Sequence, residues 1–262
     1  MDYGELFNLS GEVVLLLGFT GPIGRQFAAV FAESGCALVL GDNSAEGADI
    51  AEGIRKTNRS AEYIRLDVTD EADVRDTVAY VSEKYGLISV LVNNFSARPE
   101  GFYKKFEESD LACWNEVMNV NLSAMYLSSR EVSKVMMRQG RGSIINVSSI
   151  HGVIAPDQRI YGGSGLNSPA VYASSKSGVI GLTRYLAAYL GRYNIRVNCI
   201  CPGGVNPGDV NEGFVAQYSS RIPLGRMADM DDLKGPAVFL ASQASRYVTG
   251  QSIIVDGGQS IW

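Results

Sequence analysis

Cysteine and histidine are both scarce in this 262-residue sequence, with four Cys and one His. Cys36, Cys113, Cys199 and Cys201 form no metal-ligand grouping. Cys199 and Cys201 would share one face of a strand, but no His or further Cys lies nearby to complete a tetrahedral site. All four therefore read as buried or half-buried free thiols, and no metal is expected. A basic block is missing as well: the net charge of −5 comes from interspersed residues. That composition argues against nucleic acid and anionic membrane as partners. No apolar run approaches bilayer length, and the first, Val13 to Leu17, is only strand-sized. The N-terminal Met1-Asp2-Tyr3-Gly4-Glu5 is acidic and lacks the basic region of a secretory signal, so the cytoplasm is the expected compartment. Internal repeats, linkers and low-complexity segments are also absent, which leaves one domain over residues 1–262.

What is present suits a globular protein with a sizeable core: 46% hydrophobic and 19% charged residues. Apolar runs of strand length alternate with longer helical patterns. Strands are expected at Val13–Gly18, Ala37–Gly41, Tyr63–Leu66, Val90–Asn93, Ser143–Val147, Arg196–Cys201 and Ser252–Val255. Helices fit at Gly24–Ser34, Ala45–Asn58, Leu111–Arg138, Pro169–Tyr193 and Met230–Leu240, with one more opening at the capping residue Asp70. Near-continuous apolar strands point to a doubly wound parallel sheet with helices on both faces, an α/β fold of the Rossmann type. Such sheets bind ligands beyond the carboxyl ends of their strands.

After the first strand comes Leu17-Gly18-Phe19-Thr20-Gly21-Pro22-Ile23-Gly24. Glycines there permit a tight turn and close approach of backbone N–H groups to a pyrophosphate, at a helix N-terminus that favours negative charge. Gly18, Thr20, Gly21, Ile23 and Gly24 are the candidate contacts, although a glycine motif by itself has low specificity. Pro22 lacks an N–H, yet its fixed φ suits a first helical residue. Asp42 ends the second strand, and no Lys or Arg lies between Gly41 and Gly53. A carboxylate so placed can accept the adenosine ribose hydroxyls and repels a 2′-phosphate, which favours NAD over NADP. The competing reading is that Asp42 merely caps the next helix.

Tyr172-Ala173-Ser174-Ser175-Lys176 opens a long helix, and residues four apart share a face. A cation ~4 Å away at an effective dielectric near 20 contributes about 4 kcal/mol, enough to bring a phenol from a pKa of about 10 to near 7. Lys176, with the positive nicotinamide ring, is expected to tune Tyr172 in this way for general acid–base work. Alone, such a pair is common on helix surfaces.

Taken in order, Gly18–Gly24, Asp42, Asp67-Val68, Asn93-Asn94, Asn121, Ser148-Ser149, Tyr172/Lys176, Cys201-Pro202-Gly203-Gly204-Val205, Thr249-Gly250-Gln251 and Val255-Asp256-Gly257-Gly258 resemble the short-chain dehydrogenase/reductase family over essentially the whole chain. The resemblance implies that Ser149 hydrogen-bonds the substrate oxygen and that Tyr172 transfers its proton. Lys176 would hold the nicotinamide ribose and tune Tyr172, and Asn121 would position a water in a proton relay. Asp67 and Val68 would contact adenine, Asn93 would shape the pocket after the fourth strand, and Gly203 and Val205 would border the nicotinamide. A homodimer or homotetramer is implied as well.

The sequence departs from the family pattern in places. Leu17 and Pro22 stand where the compact branch usually has Thr and Gly, giving the glycine spacing of the extended branch, while the rest follows the compact pattern. Phe95-Ser96 replaces a small Ala-Gly and is expected to narrow the space near the cofactor. Pro207 replaces a Thr and removes one contact to the nicotinamide amide. The stretch between Ser149 and Tyr172 is longer than usual, polar and Gly-rich. Within it Arg159 is a candidate for a phosphate or carboxylate, or for a subunit contact. His151 either lines the substrate mouth or is structural, and Arg98 and Lys104-Lys105 are either substrate contacts or solvated charges. Ala155-Pro156 through Tyr161, Ser168-Pro169 and Lys104-Lys105-Phe106-Glu107 resemble the flagellin-modification type of dehydrogenase, which implies a sugar-like substrate. An NAD-dependent alcohol or sugar dehydrogenase is thus the leading expectation. A 3-oxoacyl thioester reductase and a non-catalytic NAD-sensing scaffold are the alternatives.

Overall fold

Every residue of the first apolar run, β1 (Val13–Leu17), is buried, and its alternate side chains reach two separate cores. Only a strand covered on both faces needs that composition. The computed structural model describes residues 3–161, 167–208 and 212–261. In chain order its elements are α1 (Tyr3–Leu6), β1, α2 (Pro22–Glu33), β2 (Ala37–Asp42), α3 (Gly47–Arg55), β3 (Glu62–Arg65), α4 (Glu71–Tyr85) and β4 (Val90–Asn93). There follow α5 (Leu111–Met118), α6 (Ala124–Gln139), β5 (Gly142–Val147), α7 (Ala170–Leu190), β6 (Ile195–Pro202), α8 (Glu212–Ser219), α9 (Lys234–Ala241) and β7 (Ser252–Val255). The seven strands form one parallel sheet in the order β3-β2-β1-β4-β5-β6-β7.

Val13, Leu15 and Leu17 face a core completed by Val74 and Val81 of α4, Val132 of α6 and Val179 of α7. Val14 and Leu16 face the opposite core, filled by Phe27 and Phe31 of α2, Ala51 of α3 and Leu240 of α9. This is the doubly wound Rossmann-type sheet expected from the sequence. Chain order reverses at β1, which pairs with β2 on one side and β4 on the other, and this opens the crevice where such folds bind ligands.

Several boundaries differ from the sequence reading. The helix expected over Leu111–Arg138 is α5 and α6 joined by a π-helical turn, Asn119–Ser123. The second expected helix is shorter, Gly47–Arg55, and the one expected from Met230 opens as a 3-10 turn, Met230–Leu233, before α9. Helix α8 was not anticipated. Asp70 does cap α4, accepting from the N–H groups of Ala72 and Asp73.

One polar ladder crosses the first core below the crevice. Asn93 and Asn146 are paired in register on β4 and β5. Ser128 Oγ donates to Asn93 Oδ1 at 2.8 Å, Asn93 Nδ2 to Asn146 Oδ1 at 2.8 Å, and Asn146 Nδ2 to Thr183 Oγ1 at 3.0 Å. Asn93 and Asn146 are fully buried, so each link satisfies groups that water cannot reach. Asn93→Ala should lower stability by about 2 kcal/mol, because it strands the side-chain oxygen of Asn146 in the interior, while Ser128 keeps the Ala124 and Met125 carbonyls. A urea midpoint that does not move would show that the ladder does not hold α6 and α7 to the sheet.

Candidate active site

The loop after β1 is shaped by close packing. Gly18 has φ +80°. A Cβ on Gly18 would meet the Phe95 backbone nitrogen at 2.6 Å, and one on Gly24 would meet the Gly18 carbonyl oxygen at 2.4 Å. These glycines let the loop, α2 and the end of β4 converge. Gly21 is different: nothing lies within 4 Å of its missing Cβ. It stands as N-cap of α2, immediately before Pro22, so its bare backbone and the helix N-terminus border open space. That combination fits a pyrophosphate, the group that a dinucleotide would place there. Ile23 is half-buried against the second core.

Asp42 holds this loop rather than the next helix. Its Oδ2 accepts from the Thr20 N–H at 3.1 Å and the Thr20 hydroxyl at 2.9 Å, and its Oδ1 accepts from the Ser44 N–H at 3.0 Å. Helix α3 begins five residues later at Gly47 with Glu46 as N-cap, so Asp42 does not cap it. Sequence reasoning found no cation between Gly41 and Gly53, but the fold brings one from α2. Arg25 Nε donates to the Thr20 carbonyl at 2.7 Å, and its Nη2 is paired with Glu46 at 2.9 Å. Arg25 precedes β2 in the sequence, so only the fold brings it beside the Asp42 loop.

Among the other expected cofactor residues, Asp67 turns its carboxylate to the Thr69 N–H and hydroxyl, at 2.9 and 2.7 Å. Val68 is buried in the first core. All polar atoms of Asn93 are engaged in the ladder, so its side chain shapes the crevice from beneath. Its neighbour Asn94, not singled out from the sequence, donates to the Gly18 carbonyl at 2.7 Å and ties β4 to the glycine loop. The Phe95 ring is packed into the first core with Leu17 and Leu66, so the narrowing expected from its size is absorbed by the interior. Gly203 presses against Asp256, with 2.9 Å from a would-be Cβ to the Asp256 Cα, and Val205 forms a bridge with Ala228.

The four expected catalytic residues converge at the ends of β4 and β5. Asn121 lies in the π turn, fully buried; its Oδ1 accepts from the Ala97 N–H at 2.9 Å and its Nδ2 donates to Ser175 Oγ at 3.2 Å. Ser175 Oγ in turn donates to the Tyr172 carbonyl at 2.9 Å. Single π turns inside helices recur at functional sites, where they re-aim one side chain. Ser149 lies just past β5, where its Oγ accepts from the His151 N–H at 3.2 Å. Lys176, 3% exposed, donates from Nζ to the Val147 carbonyl at 2.9 Å and sits 5.7 Å from the Tyr172 ring centroid.

The electrostatics depart from the sequence expectation. Burial pushes the Tyr172 phenol above its ordinary range, while Ser149 and then the Arg98 guanidinium pull it down and Tyr103 opposes them. Burial also brings the Lys176 ammonium down to about 8, with Cys201 opposing and Arg98 reinforcing. Lys176 gives one of its three N–H groups to the Val147 carbonyl.

On the substrate side, His151 is half-buried, its Nδ1 hydrogen-bonded with Ser168 Oγ at 2.9 Å and its ring edge-on to Tyr172 at 6.2 Å. Burial lowers it to about 4, so it is neutral at physiological pH. Arg159 is spent on Asp157, through Nε at 2.8 Å and Nη2 at 3.0 Å. Part of the enlarged loop, residues 162–166, lies outside the described residues. A cavity of about 450 Å³ opens between this loop, the segment after β4 and α5, lined by Phe102, Lys105, Trp114, Gln158 and Tyr161 among others. None of the four expected catalytic residues lines it. The four cysteines are free and buried, and no group of His, Cys, Asp and Glu among the described residues could hold a metal.

Comparison with known proteins decides the family. A family model described as enoyl-(acyl carrier protein) reductase matches residues 18–260. Over 258 residues the chain is 38% identical to a 3-oxoacyl-(acyl-carrier-protein) reductase of Thermotoga maritima, covering 96% of this chain and 98% of that protein. The chain belongs to the short-chain dehydrogenase/reductase family. Among solved structures it is similar to a short-chain dehydrogenase of Leptospira borgpetersenii with bound NAD⁺, at 32% identity and TM-score 0.87, covering 99% of this chain and 96% of that one. It is also similar to a gluconate 5-dehydrogenase of Burkholderia cenocepacia in complex with NADP and tartrate, at 30% identity and TM-score 0.88, covering 98% of each chain. The protein is thus an oxidoreductase with a nicotinamide cofactor site.

The neutral His151 has a consequence for stability. Its folded pKa of about 4 lies below the ordinary 6.5, so the unfolded chain binds the proton first as pH falls. Stability should hold above about pH 6.5 and decline between about 6.5 and 4, a decline that His151→Gln should flatten. Equal slopes in wild type and variant, from denaturation midpoints across that range, would contradict the buried neutral imidazole.

Proposed function

We propose that this short-chain dehydrogenase/reductase is NAD(H)-dependent and interconverts a secondary alcohol and a ketone on a polar, sugar-like substrate. The observation that carries this reading is the gathering of Ser149 just past β5, Lys176 on the Val147 carbonyl and the Tyr172 ring 5.7 Å from the Lys176 ammonium. A bound nicotinamide supplies or accepts the hydride. Ser149 holds the substrate oxygen, and Tyr172 gives it a proton or takes one away. Lys176, anchored at the end of β5, holds the nicotinamide ribose, and Asn121 orders the proton path behind it. Gly18, Gly21 and the α2 N-terminus receive the pyrophosphate, with Asp67 and Val68 at the adenine and Gly203 and Val205 at the nicotinamide.

Support for NAD comes from Asp42 at the end of β2, whose backbone carbonyl accepts from the Tyr63 hydroxyl and whose carboxylate is set by Ser44 and Thr20 where ribose hydroxyls would come. Glu46 pairs with Arg25, whose Nε also holds the Thr20 carbonyl beside Asp42. Support for a polar substrate comes from the enlarged loop and from the Burkholderia relative, which is named for gluconate. The loop's likeness to flagellin-modification dehydrogenases points the same way, toward a sugar derivative. Exposed Tyr126 on α6 and Tyr185 and Tyr189 on α7 suit a homodimer or homotetramer. No helix among the described residues is long and apolar enough to cross a membrane, and we take the protein to be cytoplasmic. A second reading, reduction of a 3-oxoacyl thioester, is favoured by the Thermotoga relative.

The test is NAD⁺ reduction across sugars, sugar acids, sugar phosphates and nucleotide sugars, beside NADH oxidation with a 3-oxoacyl thioester. Turnover in the first set supports the proposal; turnover with the thioester alone selects the second reading. Tyr172→Phe should abolish turnover and leave NADH affinity within about twofold, since only the proton-transferring hydroxyl is removed. Retained turnover would end the acid–base assignment. Asp42→Ser should raise the NADPH to NADH preference by tenfold or more, about 1.4 kcal/mol, because it removes the repulsion and leaves Arg25 close by. An unchanged ratio would remove Asp42 from cofactor choice.

A further inference from the structure

The segment after β4 carries a cation that the mechanism leaves unused. Ala97 is pinned by its N–H to Asn121 Oδ1 at 2.9 Å, so the residue that follows it, Arg98, is set at the rim of the catalytic group. The Arg98 side chain is exposed, and its hydrogen bond is a long one, 3.5 Å from Nη1 to the Tyr103 hydroxyl. Two aromatic contacts bridge from there to the reacting centre: Tyr103 lies edge-to-face on Phe102 at 5.0 Å, and Phe102 on Tyr172 at 6.1 Å. Arg98 is close enough to act electrostatically on both Tyr172 and Lys176.

The neighbouring cations are accounted for. Arg159 and Arg221 both pair with Asp157, and Lys104 pairs with Asp110 at 3.1 Å. Lys105 lines the outer cavity rather than the catalytic group. Among the described residues Arg98 has no carboxylate partner, which leaves one uncompensated positive charge at the mouth of the site. A planar guanidinium presents two parallel N–H donors that match a carboxylate. The single charge of a guanidinium balances a carboxylate, whereas a phosphate carries more.

We propose that Arg98 selects the substrate by charge, receiving a carboxylate carried by the same molecule whose alcohol or ketone Tyr172 serves. The substrate class is then a hydroxy acid or keto acid. The assignment rests on the redox reading above, because it needs a reacting oxygen at Ser149 and Tyr172 to set where the carboxylate falls.

The experiment titrates NADH-loaded protein with tartrate, with threitol (the same carbon chain without charge) and with glycerol 3-phosphate, by calorimetry. Wild type should bind tartrate at least tenfold more tightly than threitol, with an affinity that falls as salt is added. Arg98→Met should weaken tartrate about 10- to 100-fold, and Arg98→Lys should restore part of the loss. Arg159→Met should keep the wild-type tartrate affinity, since Asp157 already neutralises that residue. Equal affinity for tartrate and threitol, stronger binding of glycerol 3-phosphate, or loss of tartrate binding in Arg159→Met instead of Arg98→Met would each overturn the assignment. NADH binding is measured first. Its absence overturns the redox reading and this inference together, whereas NADH binding with charge-blind titrations overturns the Arg98 role alone.

Discussion

Lys176 carries its ammonium into the protein with 3% of the residue exposed, and the acceptor it meets is the Val147 carbonyl at the end of β5. A charge withdrawn from water must be hydrogen-bonded or it forfeits several kcal/mol. That single bond therefore fixes the start of α7 against the sheet. Two further contacts tighten the same junction: Ser148 Oγ donates to the Lys176 carbonyl at 2.8 Å, and Gly152 passes so close that a Cβ there would lie 2.7 Å from the same oxygen. Tyr172 lies one turn earlier on the same helix. The polar ladder from Ser128 to Thr183 braces the next turns of α7 from inside the core. The catalytic geometry is thus a property of strand-end packing, set before any ligand arrives.

The same packing creates an electrostatic tension. Burial raises the phenol of Tyr172 and lowers the ammonium of Lys176 to about 8, so each group is biased toward its neutral form. A neutral phenol is a proton donor, suited to reducing a carbonyl. To accept a proton from an alcohol it must first ionise, and that requires positive charge nearby. In the protein alone Ser149 and then the Arg98 guanidinium lower the phenol against the effect of burial.

The enlarged loop and α8 form a second level of organisation. Ile160 is buried in a cluster with Tyr218, Ile222 and Met227, and Gln217 Nε2 donates to the Arg159 carbonyl at 3.1 Å. At its other end, Asn167 donates to the carbonyls of Tyr103 and Lys104. Arg159 and Ile160 are thus held to the post-β6 region, and Asn167 to the post-β4 segment. The loop's polar composition serves these bridges first, and this is why Arg159, conspicuous in the sequence, is engaged with Asp157.

How much of this was legible depended on range. The sheet and the glycine turn after β1 were readable because each is a local pattern whose physics lies within a few residues. The π turn at Asn119–Ser123 was not, since its residues fit an uninterrupted helix and only the bond from Asn121 to Ala97 shows what the distortion gains. Phe95 was misjudged from size alone; which way a side chain turns depends on the core that accepts it. Arg25, Asn94 and Arg98 were missed or undervalued for one reason: their roles are defined by partners 21, 76 and 23 positions away, Glu46, Gly18 and Asn121, the last acting on Ala97 beside Arg98. A charge in a sequence carries no mark of whether folding will neutralise it. Arg159 and Arg98 look alike on paper, and only the position of Asp157 separates them.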